Sequence, residues 1–148
     1  MSPVETYFLK IGDLQVSNSP KIFKTILGSC VSVCIMDKKS GYCGMNHFLL
    51  PQAPADEQTA KYGDYSIRKL ISSMKIVVTT STPLVAKIFG GGNIVSVISD
   101  PIGSRNVMMA KQILAENNIE VIAEDTGGTK SRFLNFDTHS GKVTVKYR

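Results

Sequence analysis

Two residues of types that act together in nucleophilic catalysis, Cys30 and His47, flank a predicted β-hairpin. The segment VSVCIM at positions 31–36 alternates as a strand does, and YCGMNHFLL at positions 42–50 is predicted to be the returning strand. A DKKSG turn with glycine at its end joins them, and Pro51 ends the second strand. A cysteine and a histidine on adjacent strands would suit catalysis by a cysteine nucleophile that the imidazole activates.

The register of this hairpin decides whether the thiol and the imidazole meet. A turn centred near Lys39 predicts that Cys30 lies opposite His47, and that Cys34 lies opposite Cys43. Directly opposed residues have Cα atoms about 4.5 to 5.5 Å apart. An imidazole beside a thiol favours the thiolate and can later supply a proton to the leaving group.

Other interpretations of these residues remain open from spacing alone. A one-residue slip in register would separate the pair, leaving Cys30 as a small buried hydrophobe and His47 as a core histidine. A zinc site that also uses Cys34 and Cys43 is disfavoured, because Cys30 and Cys34 would lie about 13 Å apart along one strand. With three cysteines, an odd number, a disulfide framework is not expected.

The residues just before Cys30 predict two supporting groups. A tight turn at Gly28 would leave the backbone N–H groups of Ser29 and Cys30 near the sulfur, where they can form an oxyanion hole. The hydroxyl of Thr25 can orient the imidazole as the third member of a triad; the alternative is an ordinary β-branched strand residue. The glycines at 90–92 lack the Lys-Ser/Thr that completes a phosphate-binding loop, so a tight turn is predicted there.

Apolar periodicity predicts two helices, over 62–74 and 103–118, with Ser104 capping the second and its end at Asn117 and Asn118. The other strands are predicted over 5–16, 84–89, 120–124, 132–136 and 142–147. Strands outnumber helices, and only the middle of the chain resembles a crossover unit. The predicted fold class is therefore α+β, a mixed α/β sandwich with two main helices packed on β-sheets.

Composition limits the class of protein. The chain has 148 residues, 43% hydrophobic and 20% charged, which predicts one globular domain over residues 1–148. No stretch of about 18 apolar residues is present and the N-terminus does not resemble a secretory leader, so a cytoplasmic protein without membrane insertion is expected. The net charge of +5 is not gathered into a Lys/Arg run, which favours an acidic partner and no nucleic acid.

The segments TILGSCVSVC at 25–34 and GMNHFLLP at 44–51 resemble the CheD family of chemoreceptor glutamine deamidases. The similarity continues, in order and over the whole chain, through KYGDY at 61–65, AKIFGG at 86–91, IGSRN at 102–106 and EDTGG at 124–128. The resemblance implies an α/β sandwich like that of deamidating bacterial toxins. It also implies an enzyme of bacterial and archaeal chemotaxis that hydrolyses glutamine side-chain amides on the cytoplasmic helices of chemoreceptors, releasing ammonia.

The resemblance further implies roles for individual residues: Cys30 as the nucleophile, His47 as its acid–base partner and Thr25 as the hydroxyl residue, with no metal or organic cofactor. The partners it implies are the cytoplasmic domain of a methyl-accepting chemotaxis protein and, in some members, a CheC-type phosphatase that binding stimulates. Two residues depart from the family pattern: Asn46 stands where a small residue is common, and Ser32 where alanine is common. Asn46 would either crowd the site or add a hydrogen bond.

Two alternative functions remain from the sequence. One is a regulatory binding module for the phosphatase, in which the catalytic groups persist but binding is the main task. The other is a thiol hydrolase that acts on receptor glutamate methyl esters.

Overall fold

The structure, a computed structural model, describes residues 4–94 and 101–148. Its strands and helices, in chain order, are β1 Glu5–Phe8, β2 Leu14–Ser17, β3 Lys21–Leu27, β4 Val31–Met36, β5 Cys43–Asn46, α1 Gly63–Val77, β6 Val85–Gly90, α2 Ile102–Glu116, β7 Glu120–Thr126, β8 Arg132–Asp137 and β9 Lys142–Tyr147. They form a four-stranded sheet in the order β1-β3-β8-β9 and a five-stranded sheet in the order β2-β5-β4-β6-β7. The predicted α+β class is confirmed.

The alternation within β4 explains how these elements stack into three layers. Val31, Val33 and Ile35 face the two helices, in a core with residues such as Ile67 and Ile113. The intervening side chains face the four-stranded sheet, in a second core whose members include Cys30, Cys34, Met36, Phe23 and Phe136. Both faces of β4 are covered, and all six of its residues are buried.

The chain changes sheets between β3 and β4, and this change positions the candidate nucleophile. Strand β3 belongs to the four-stranded sheet and β4 to the five-stranded sheet. Gly28, Ser29 and Cys30 form the short connection between them. Cys30 therefore lies where the inner faces of the two sheets meet, at one end of the sandwich.

The prediction of a single strand over 5–16 is wrong. The structure divides this segment into β1, which pairs in parallel with β3, and β2, which pairs antiparallel with β5 in the other sheet. A turn at Gly12, with a φ of 91°, separates them, and the Asp13 side chain accepts a hydrogen bond from the Lys10 amide. Apolar alternation continues through the turn, so periodicity alone does not reveal it, whereas the Gly-Asp pair does.

Both predicted helices are confirmed, and Ile67, Leu70, Ile71 and Met74 are buried on α1 as their spacing predicts. The prediction that Ser104 caps α2 is wrong. The helix begins at Ile102 after Pro101, whose backbone is extended, so Ser104 lies inside the first turn and caps nothing. The other end of α2 is confirmed, since Asn117 is its C-cap and the next residue has a φ of 56°.

Candidate active site

The β4–β5 hairpin has a different register from the predicted one. Cys34 pairs with Met45, and Met36 pairs with Cys43. The predictions that Cys30 lies opposite His47 and that Cys34 lies opposite Cys43 are therefore wrong. The turn itself is the reason: its centre lies between Lys39 and Ser40, one residue beyond the centre that the predicted pairing requires. The Asp37 amide donates to the Tyr42 carbonyl across this loop.

The error in register is two residues, so it leaves every side chain on its predicted face. Val31 and Phe48 form the bridge next to the site, which makes Cys30 and His47 diagonal neighbours on the face toward the four-stranded sheet. Such neighbours have Cα atoms about 7 to 8 Å apart, within reach of a ring side chain. The structure does not place the Cys30 Sγ in hydrogen-bond contact with the His47 ring.

Thr25 and His47 do meet, and their contact determines which ring nitrogen is basic. The Thr25 Oγ1 lies 2.7 Å from the His47 Nδ1 and donates its single proton to the Leu9 carbonyl, also at 2.7 Å. The Nδ1 must therefore carry the proton of the neutral ring and donate it to Thr25. This tautomer leaves Nε2 as the basic nitrogen, able to accept a proton from a thiol.

The surroundings of His47 keep the ring neutral. Burial lowers the pKa of His47 below its ordinary value, and this effect outweighs the Leu9 carbonyl and the Asp13 charge, which raise it. Within residues 4–94 and 101–148, the buried Nε2 has no hydrogen-bond partner. The Nε2 nitrogen is therefore unprotonated and able to accept a proton.

The β1–β2 turn holds the His47 backbone from outside the hairpin. The Asp13 carbonyl accepts from the His47 amide at 3.1 Å, and the Gly12 amide donates to the His47 carbonyl at 2.8 Å. Sequence reasoning missed Leu9, Gly12 and Asp13 because it placed them in one continuous strand. The Gly-Asp turn signal is the feature that would have separated them from it.

Cys30 lies at the entrance to β4 and is only 8% exposed. Burial raises the pKa of its thiol to about 11, against a smaller lowering by its own backbone amide. The resting state of the site is therefore a thiol beside a neutral imidazole rather than a thiolate–imidazolium pair. Attack by the sulfur requires a base to take its proton as the reaction proceeds.

The glycines at the end of β6 hold the backbone on either side of the nucleophile. The Gly91 amide donates to the Cys30 carbonyl at 2.8 Å, and the Gly92 amide donates to the Gly28 carbonyl at 2.9 Å. A Cβ on Gly90, whose φ is 106°, would lie 2.2 Å from the Cys30 carbonyl oxygen. The tight turn predicted over 90–92 is not observed: β6 runs to Gly90, and the amides of residues 91–93 bond to other segments of the chain. What the glycine segment 90–92 allows is this close backbone approach.

The amide groups predicted to form an oxyanion hole are unused by other backbone groups. In the described part of the chain, the N–H groups of Ser29 and Cys30 donate to no backbone carbonyl, whereas the next amide, of Val31, donates to Phe48. The oxyanion hole remains a prediction, and the structure leaves both donors available for it.

Asn46, next to the candidate base, faces away from the site. Its Oδ1 accepts from the Val33 amide at 2.7 Å, and its Nδ2 donates to the Ser66 hydroxyl of α1 at 3.0 Å. Of the two expectations for Asn46, the added hydrogen bond is the one observed, on the helix side of the sheet. Ser32 is fully buried, and its hydroxyl has no partner among the described residues.

All three cysteines are free. Across the ranges 4–94 and 101–148, no cluster of three or more His, Cys, Asp or Glu side chains is arranged to hold a metal ion. No helix in those ranges is long and apolar enough to cross a membrane.

Comparison with known proteins gives a consistent family. A family model described as "CheD chemotactic sensory transduction" matches residues 49–147, a segment that begins just after His47. A relative from Sulfurimonas denitrificans, named "Probable chemoreceptor glutamine deamidase CheD", is 38% identical over 147 residues, covering 97% of this chain and 94% of the relative. Another from Geobacter sulfurreducens, named "Probable chemoreceptor glutamine deamidase CheD 2", is 40% identical over 141 residues, covering 94% and 88%.

A third relative, from Rhodospirillum rubrum and with the same name as the first, is 36% identical over 141 residues, 94% of this chain and 80% of the relative. These matches extend over nearly the whole chain at well above 30% identity. Together with the family model, they show that this chain belongs to the CheD family.

Proposed function

We propose that this chain is a protein-glutamine deamidase that hydrolyses side-chain amides on chemoreceptors, with Cys30 as nucleophile and His47 as acid and base. The names of its relatives support the reaction and the substrate class. The observation that carries the proposal for the site is the hydrogen bond between Thr25 and His47, because it leaves a buried, basic Nε2 on the face it shares with Cys30.

The first step is attack on the glutamine carboxamide. Because the resting pair is a thiol and a neutral imidazole, the His47 Nε2 takes the Cys30 proton as the sulfur bonds to the carboxamide carbon. The hydrogen bond between Sγ and Nε2 forms when substrate binds, as catalytic hydrogen bonds often tighten only in the complex. The amides of Ser29 and Cys30 donate to the oxyanion that develops on the carbonyl oxygen.

The second step releases ammonia and resets the site. The His47 imidazolium gives its Nε2 proton to the departing nitrogen, the C–N bond breaks and a thioester remains on Cys30. The neutral ring then takes a proton from a water, whose oxygen attacks the thioester. As the C–S bond breaks, the imidazolium returns that proton to the Cys30 sulfur, which restores the thiol, and the new carboxylic acid loses its proton to solvent to give glutamate. Throughout, Nδ1 keeps its proton and donates it in a hydrogen bond to the Thr25 Oγ1, which keeps the ring in the reactive tautomer.

The charge of the protein suits a negatively charged partner. The formal net charge is +5, and a positive surface speeds docking onto an acidic helical bundle in a salt-dependent way. We therefore assign the cytoplasmic helices of a chemoreceptor as the substrate, in line with the names of the relatives.

The test is mass spectrometry of a chemoreceptor cytoplasmic fragment after incubation with the protein. Each conversion of glutamine to glutamate adds about one dalton, as an amide NH2 is exchanged for OH. Wild type and Cys43→Ala should both produce the shift, because Cys43 lies away from His47, whereas Cys30→Ala should not. Peptide mapping would name the converted glutamines.

Absence of a shift with wild type on several receptors would contradict the proposal. The regulatory alternative would then be tested by capture of a purified CheC-type phosphatase, compared between wild type and Cys30→Ala. Conversion of receptor methyl esters but not of amides would instead support the esterase alternative.

A further inference from the structure

Asn106, on α2, connects the two halves of the candidate site. Its side chain is fully buried, and its Nδ2 donates to the Ser29 carbonyl at 3.0 Å and to the Leu49 carbonyl at 2.9 Å. Carbonyl oxygens only accept, so the nitrogen of the amide must be the atom that faces them. One side chain thus binds the residue before Cys30 and the segment just after His47.

The start of α2 packs at backbone contact distance against the glycines that follow β6, and this contact fixes the position of Asn106. A Cβ on Gly103 would lie 2.4 Å from the Gly91 carbonyl oxygen and 2.5 Å from that of Gly92. The helix backbone is therefore in direct contact with the glycine segment 90–92, whose amides also bind the Gly28 and Cys30 carbonyls. Asn106 follows Gly103 by about one helical turn, on the same side of α2.

The geometry of the peptide group converts these carbonyl contacts into control of the neighbouring amides. The Ser29 carbonyl and the Cys30 N–H belong to one planar trans peptide, in which C=O and N–H point in opposite directions. Holding the Ser29 oxygen with Asn106 therefore fixes where the Cys30 N–H points. The bond from Gly92 to the Gly28 carbonyl fixes the Ser29 N–H in the same way.

We propose that Asn106 is a positioning residue for the oxyanion hole, and that its hydrogen bond to Ser29 aims the Cys30 N–H at the oxyanion of the tetrahedral intermediate. This inference rests on the proposed function. Asn106 acts through the peptide group and needs no contact with substrate. Its second bond, to the Leu49 carbonyl, joins α2 to the segment after His47, while the His47 backbone itself is held separately by Gly12 and Asp13.

A comparison of two reactions separates this role from a general structural one. Deamidation passes through an oxyanion and needs the amide donors. Alkylation of Cys30 by iodoacetamide displaces iodide at a saturated carbon: the S–C bond forms as the C–I bond breaks, and the thiol proton goes to His47 or water. No oxyanion forms, so alkylation reports on Cys30 and His47 without the oxyanion hole.

The variants are Asn106→Leu, which keeps the volume but removes both donors, and Asn106→Ser, which keeps one shorter donor. For Asn106→Leu we expect kcat for deamidation of a receptor fragment to fall by roughly 10²-fold. Its KM, and the pH profile of Cys30 alkylation, should stay near the wild-type values. Asn106→Ser should keep part of the deamidation rate that Asn106→Leu loses. Background alkylation is subtracted with Cys30→Ala.

The matched control is Thr138→Val, which removes another buried hydrogen-bonding side chain. The Thr138 hydroxyl accepts from the Lys21 amide and donates to the Ser19 carbonyl, both far from Cys30. This variant should lose stability while keeping both rates. It shows what a general loss of buried hydrogen bonds does to the site.

Two results would overturn the inference: an unchanged kcat in folded Asn106→Leu, or equal losses of deamidation and alkylation. The second would mean that Asn106 only maintains the shape of the site. If Asn106→Leu does not fold, Asn106→Ser carries the same comparison. If the wild-type protein deamidates no receptor, the proposed function fails and this inference fails with it. If the wild-type protein deamidates a receptor and Cys30→Ala does not, the proposed function stands and the Asn106 variants test this inference alone.

Discussion

Two buried cysteines, Cys30 and Cys43, lie at opposite ends of the sandwich. Their thiols are similar in burial and pKa, but their backbone surroundings differ. They are 8% and 4% exposed, and burial raises the pKa of each to about 11. The Cys43 Sγ donates to the Thr138 carbonyl, and nearby Asp137 raises its pKa further while Lys87 lowers it. Neither burial nor thiol pKa distinguishes the candidate nucleophile from its counterpart.

The backbone does distinguish them. Cys43 lies inside β5 with paired strands on both sides, opposite Ser17 and Met36. Cys30 lies just outside the ladder, where other segments hold the turn carbonyls and the amides of Ser29 and Cys30 stay unused by backbone groups within the described ranges. A basic histidine nitrogen faces the same layer. The comparison teaches that what sets the candidate site apart is interrupted strand pairing, rather than an unusual sulfur.

The strongest way to break this comparison is to remove the base. His47→Ala should lower the rate of deamidation by roughly 10² to 10⁴-fold, because the Cys30 thiol with its raised pKa then has no proton acceptor. Alkylation of Cys30 at neutral pH should slow as well, while that of Cys43 stays the same. His139→Ala, which alters the other histidine of the chain, is the control and should change neither. Equal alkylation of Cys30 in wild type and His47→Ala would show that the two side chains do not interact.

A second way compares two glycines with positive φ near opposite ends of β4. Gly90→Ala puts a Cβ 2.2 Å from the Cys30 carbonyl, so the nucleophile turn must move; a shift of about 1 Å costs roughly 10²-fold in rate. Gly41→Ala, where no atom lies within 4 Å of the new Cβ, should cost only about 1 to 2 kcal/mol of backbone strain and keep activity.

Both glycine variants are measured by thermal unfolding and by receptor deamidation. Full activity in folded Gly90→Ala would show that the close approach of this turn does not position Cys30. Loss of activity in Gly41→Ala would show that strain at the far end of β4 reaches the site.

The sequence predicted most of the elements because each carries its own periodicity. The stripe on α1 and the alternation of β4 placed their residues on the correct faces. The candidates Cys30 and His47 came from the predicted hairpin, and Thr25 came from its place upstream of Cys30 and from the family resemblance. Face assignment depends only on the odd or even position of a residue. A two-residue error in the hairpin register therefore left Cys30 and His47 on the faces predicted for them.

The remaining features depend on contacts between distant segments. The split of residues 5–16 follows from which sheet each half joins, and alternation is the same in both sheets. The role of Asn106, which lies 77 residues after Ser29, depends on the packing of α2 against the glycine segment 90–92. No local pattern predicts where a helix will pack, and the three consecutive glycines predicted only a tight turn.

A smaller effect is expected from Thr25→Val, which preserves the shape of the side chain. The variant leaves the Leu9 carbonyl and the His47 Nδ1 without their shared hydroxyl, at a cost of about 1 to 3 kcal/mol in the free energy of unfolding. The longer contact of Nδ1 with the Leu9 carbonyl, at 3.4 Å, is then all that holds the tautomer, so kcat should fall by roughly tenfold to a hundredfold, less than for His47→Ala. Thr25→Ser, which keeps the hydroxyl, should restore most of the rate. Wild-type kcat in Thr25→Val would remove Thr25 from the site.

The smallest predicted effect is on how stability against unfolding depends on pH, which should differ between His47 and His139. The pKa of His47 is lowered on folding, so between its ordinary value of 6.5 and the lower folded value the unfolded chain binds a proton that the folded protein does not. The stabilisation from the neutral ring is complete above pH 6.5 and is lost as the pH falls through the folded pKa. Urea unfolding of wild type should therefore show stability that decreases with acid in this window. His47→Gln should flatten that part of the profile, whereas His139→Gln, at the Cys43 end, should keep it; an identical slope in His47→Gln would mean that other groups cause the acid sensitivity.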